Sequence, residues 1–133
     1  MTPYKQLFSH DPADGVLGDC HRTCIASLLD LYPSQVPHIG EKYPTLSEWL
    51  ASRHLREVVI PIKAPSLNGA LFEFSMMHVG LNFILTGNSP RGEHHSVIAC
   101  DGQIVHDPSA EGGGLIGPCD DGYWWVSVLA RAT

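Results

Sequence analysis

The stretch HHSVIACDGQIVHDP, residues 94–108, decides how this chain is read. Two β-branched runs flank Asp101-Gly102, a dipeptide that suits the positive φ angles of a type I′ turn. The reading is a hairpin with Cys100 opposite Gln103, Ile98 opposite Val105 and Ser96 opposite Asp107. Side chains alternate along a strand, so His95, Val97 and Ala99 share one face while His94, Ser96 and Ile98 share the other. His95 and Asp107 then become neighbours near the open end of the hairpin, joined through a bulge or by side-chain reach. His106 reads as a strand residue facing away from them.

Upstream, REVVIPI (56–62) is a short β-branched strand, and Pro61 assigns it to a sheet edge. The run LFEFSMMHVGLNFILTG (71–87) is ambiguous in its first half and a strand at GLNFIL. Downstream, SAEGGGLIGPCDDG (109–122) reads as a long flexible loop that could border a cleft as a lid, and YWWVSVLA (123–130) as a last strand. Helical patterns lie earlier in the chain. In GDCHRTCIASLL (18–29), Asp19 is placed to cap the helix, with Cys24, Ile25, Leu28, Leu29 and Leu31 forming an apolar stripe. Pro33 ends that helix near Tyr32. A second helix, TLSEWLASRHL (45–55), opens with the capping-box pair Thr45 and Glu48. Helix first and antiparallel sheet afterwards is an α+β arrangement, read as one domain over 1–133.

Composition narrows the function. Eight basic and fourteen acidic side chains give a formal charge of −6, which argues against a nucleic-acid partner. The start, MTPYKQLFSHDPADG, has no apolar signal-peptide core, and no apolar run approaches the roughly 20 residues of a membrane span. A cytoplasmic protein with no membrane partner is expected. Four cysteines in such a chain are expected to be reduced. No C-x-x-C pair occurs, so neither a zinc site nor another metal or cofactor is expected.

A cysteine at a helix start, with a histidine and an aspartate on adjacent strands, suggests an activated thiol. Free cysteine titrates near about 8.5, and a helix N-terminus with a nearby imidazolium favours the thiolate. Cys20 sits at that helix start, whereas Cys24 lies a turn deeper on the buried stripe. The candidate roles are Cys20 as nucleophile, His95 as base and Asp107 as the group orienting the ring. The Cys20 backbone N–H and the Gln6 side-chain amide are candidate oxyanion donors. His21 is expected to line the cleft and His94 to sit at the surface.

Gln6, then G-D-C at 18–20 opening a helix, then H-S-V-I at 95–98 and V-H-D-P at 105–108, resembles the papain-like cysteine peptidase superfamily. Within it, the chain is most similar to bacteriocin-leader-processing peptidases and related small bacterial and phage proteins. The resemblance covers residues 6–108. It implies a papain-like fold, with an N-terminal catalytic helix packed on an antiparallel sheet. It also implies a thiol hydrolase, a cysteine peptidase or amidase, acting on a peptide or other amide through a thioester. Acyl transfer by the same thiol and an inert papain-like binding module are the alternatives. Gln6 precedes Cys20 by fourteen residues, a wider gap than is usual in these peptidases, so HDPADGVLGD (10–19) must fold back.

Overall fold

The computed structural model describes residues 1–8, 18–38 and 44–132. In chain order these form α1 (Cys20–Leu29), a 3-10 turn (Pro33–Gln35), α2 (Leu46–Ser52), β1 (Leu55–Ile62), α3 (Leu67–Met77), β2 (Phe83–Asn88), β3 (His94–Cys100), β4 (Gln103–His106) and β5 (Trp124–Arg131). The strands make one five-stranded sheet in the order β1-β5-β2-β3-β4, and every neighbouring pair is antiparallel. The architecture is α+β. No helix among the described residues is long and apolar enough to cross a membrane.

Strand alternation gives the sheet two apolar faces. Phe83, Leu85, Val97, Ala99, Trp124 and Val126 meet Ala70, Leu71 and Phe74 of α3 on one side. Ile84 and Ile98 meet Cys24, Ile25 and Ala26 of α1 and Leu50 of α2 on the other. The sheet is therefore sandwiched between α3 and the α1–α2 pair, with a separate core on each face. Pro61 falls on β1, an outer strand, where a missing N–H costs the ladder least.

Helix α1 stops earlier than Pro33 requires. Asp30 takes a left-handed conformation (φ 58°), its N–H reaches Ser27 O, and Leu31 N reaches Ala26 O at 2.9 Å. These two bonds satisfy carbonyls at the helix end in a Schellman-type stop. Helix α2 opens on the expected Thr45–Glu48 capping box but yields to β1 at Leu55, the last residue of the expected helix. The ambiguous stretch resolves into helix α3. Ser66 Oγ accepts from Gly69 N at 3.1 Å, and Leu67, Ala70, Leu71 and Phe74 point one face at the sheet.

The hairpin turn has positive φ at both Asp101 (50°) and Gly102 (79°), as a type I′ turn requires. Its register departs from the sequence reading after two pairs. Cys100 faces Gln103 and Ala99 faces Ile104, but Ile98 faces His106, so Val105 is the extra residue of a bulge. Neither the expected Ile98–Val105 pair nor the Ser96–Asp107 pair forms. The bulge moves everything after Val105 one position along β3 and sets the approach of Asp107 to the start of that strand.

Candidate active site

Helix α1 leans on β3 through Cys24, which is fully buried and donates its thiol to Ser96 O at 3.5 Å. One turn back, about 6 Å along the helix axis, is Cys20. His95, buried at 3% exposure, occupies the second position of β3. Its Nε2 lies 2.7 Å from Asp107 Oδ1. Cys20 lines the same cleft as this ring and acts on its charge. With Nε2 taken by Asp107, Nδ1 is the ring nitrogen left for another partner.

Asp107 is held on both oxygens. Oδ1 also accepts from Ser109 N at 2.9 Å, and Oδ2 from Gly114 N at 2.9 Å. Burial works against its charge, but His95 and the two backbone donors outweigh that and lower its pKa to about 2. Burial likewise opposes a charged His95. The hydrogen bond to Asp107, then the neighbouring Cys20, outweigh it and raise the ring to about 9. The pair at rest is thus a carboxylate facing an imidazolium. Gly112, Gly113 and Gly114 all take positive φ, a conformation that side-chain-bearing residues rarely adopt. The loop read as free or lid-like is therefore tied at Gly114 to Asp107 and at Ile116 to Asn88 O.

Gln6 enters the same cleft from the N-terminal segment. Its Nε2 donates to Phe8 O at 2.6 Å, and its Oε1 is buried without a partner. The return of the chain from Gln6 to Cys20 depends on Asp19. Its side chain does not cap α1 as expected. Instead the carboxylate, 1% exposed, accepts from Leu7 N (3.2 Å), Phe8 N (2.8 Å) and Arg22 Nε (3.1 Å). Asp19 N adds a 3.4 Å bond to Phe8 O, so Phe8 and Asp19 are joined directly. Most of HDPADGVLGD, residues 10–17, lies outside the described residues.

Cys20, His95 and Gln6 border a cleft of about 720 Å³ whose walls also include His21, Arg91 and Glu93 but no large apolar side chain among the described residues. His94 stands half-exposed at its rim, 3.9 Å from Asp120 Oδ2. His106 turns from the cleft and places Nε2 2.6 Å from Tyr4 O. Sequence reasoning missed the partner of His21, whose Nε2 is 2.8 Å from Glu57 Oε1. Ser127 Oγ donates to the same oxygen. Glu57 lies on the outer strand β1, and only the sheet order carries it to the start of α1. Burial raises the Glu57 pKa, but the bonds to His21 and Ser127 prevail and lower it.

No protein-family model, curated protein or solved structure matches the chain. Burial is the first cause raising Cys24 far above the ordinary thiol range, and it also raises Cys100. Burial, then Asp121 and Asp120, push Cys119 up to about 11. All four cysteines are free, and among the described residues no group of His, Cys, Asp and Glu is arranged to hold a metal.

Proposed function

We propose that this protein is a thiol hydrolase of papain-like type, cleaving a peptide or other amide bond through a thioester on Cys20. The observation that carries the reading is one imidazole, His95, bonded on Nε2 to Asp107 and lining the same cleft as the Cys20 thiol at the start of α1. Attack begins as His95 holds the thiol proton and the sulfur adds to the substrate carbonyl carbon. The oxyanion faces the Cys20 backbone N–H and the Gln6 amide, whose NH₂ retains one hydrogen beyond that given to Phe8 O. Collapse breaks the C–N bond while His95 gives its proton to the departing amine. Water, deprotonated by the now neutral ring, then attacks the thioester and frees the acid and the thiol. Asp107 keeps the ring in one orientation and stabilises its charged form throughout.

The polar side chains on the described walls of the cleft, His21, Arg91 and Glu93 among them, support a substrate with polar or charged groups to meet them. The test is iodoacetamide labelling at pH 6, followed by mass spectrometry of each cysteine. The expected outcome is Cys20 modified well ahead of Cys24, Cys100 and Cys119, with electrophilic amide-mimicking probes landing on the same sulfur. Slow, equal labelling of all exposed thiols would replace the hydrolase with a papain-like binding module.

A further inference from the structure

Two of the catalytic groups proposed above, Cys20 and Asp107, sit at the start of α1 and in the turn that follows β4. The segment 2–8 runs between them. On the α1 side, Thr2 N donates to Ser27 O (3.0 Å) and Tyr4 N to Ser27 Oγ (3.1 Å). Leu7 N and Phe8 N close on the Asp19 carboxylate next to Cys20. On the Asp107 side, His106 Nε2 meets Tyr4 O (2.6 Å), and Gln6 N donates to Pro108 O (2.8 Å). Lys5 makes the most pointed contact of the set. Its Nζ donates to Asp107 O (2.9 Å) and to Ser109 O (3.0 Å).

Those two carbonyls bracket the turn whose side chain holds His95. Asp107 Oδ1 bonds Ser109 N inside the same turn, so the ammonium and the carboxylate grip its backbone from opposite ends. We propose that Lys5 is a positioning residue for the hydrolysis, fixing the Asp107–Ser109 turn and through it the aim of the His95 ring at Cys20. Lys5 touches neither the ring nor the sulfur. It acts through Asp107, and its side chain is exposed, so it contributes little to the core. The inference rests on the functional reading above.

A through-space effect of the lysine charge and a positioning effect have opposite signs. Removing a nearby cation favours a protonated ring and moves the His95 midpoint up. Releasing the turn lets Asp107 drift from the ring and moves the midpoint down, towards about 6.5. The experiment compares wild-type protein with Lys5→Met, which keeps the apolar stem, and Lys5→Arg, which keeps the charge. His95 is titrated by NMR, Cys20 alkylation by iodoacetamide is timed at pH 6, and thermal melting monitors the fold.

Positioning is supported if Lys5→Met melts like wild type, its His95 midpoint falls, alkylation slows by about tenfold or more, and Lys5→Arg recovers part of both. A midpoint that stays or rises overturns it. If Lys5→Met does not fold, Lys5→Gln is titrated in its place under the same two criteria. Should wild-type Cys20 react no faster than the other thiols, the hydrolase reading fails on its own. The His95 midpoint then still decides whether Lys5 aims the ring.

Discussion

Asp107 does two jobs with one carboxylate: it holds the His95 ring and anchors the glycine loop at Gly114. The pH dependence follows from the two pKa shifts. His95 is raised, so its stabilisation is complete below about 6.5 and is lost as pH climbs through about 9. Asp107 is lowered, so its share is complete above about 3.9 and is lost as pH falls through about 2. Urea midpoints measured from pH 4 to 9.5 should fall on the alkaline side in wild type, and that slope should flatten in Asp107→Asn. An unchanged slope would dissociate His95 from this carboxylate. Cys24 poses the contrasting case of a sulfur used for packing. Cys24→Ala should cost on the order of 1 kcal/mol in chemical denaturation while leaving Cys20 alkylation intact.

Among the elements, β2 depends on a residue with no side chain. Gly87 pairs with His95, and a Cβ there would lie 2.6 Å from Gly117 O and 3.0 Å from the Trp124 ring. Gly87→Ala should therefore destabilise by about 1–3 kcal/mol in denaturant titration, with backbone shifts reaching the start of β3. The elements differ in how openly the sequence announced them. The Thr45–Glu48 box and the Asp101-Gly102 turn are local chemistry, and both appear where the residues demand them. Helix α3 was equally encoded, in Ser66 and the spacing Leu67, Ala70, Leu71, Phe74. Gly69 in its first turn and the phenylalanines at 72 and 74 obscured it, because both suit non-helical structure. The hairpin register was beyond local reading, since the bulge at Val105 answers to packing and to the Asp107 contacts rather than to the turn.

Across the whole molecule, the sheet order explains what the linear text hid. The order Gln6, Cys20, His95, Asp107 could be read directly, but not the role of Asp19 or the partner of His21, because each depends on a segment distant in the chain. Strand β5, the last element, lies between β1 and β2 and contributes Trp124 at 0% exposure to the larger core. Trp124→Ala should cost about 3–5 kcal/mol, and calorimetry should show both faces melting together because β5 borders each core. The closed neck formed by Phe8 and Asp19 has a practical corollary. Because Phe8 and Asp19 are held to each other, foreign sequence inserted between them should leave the start of α1 in place, which the rate of Cys20 alkylation in an insertion variant checks. The clasp would then separate the size of an inserted epitope from the placement of the sulfur.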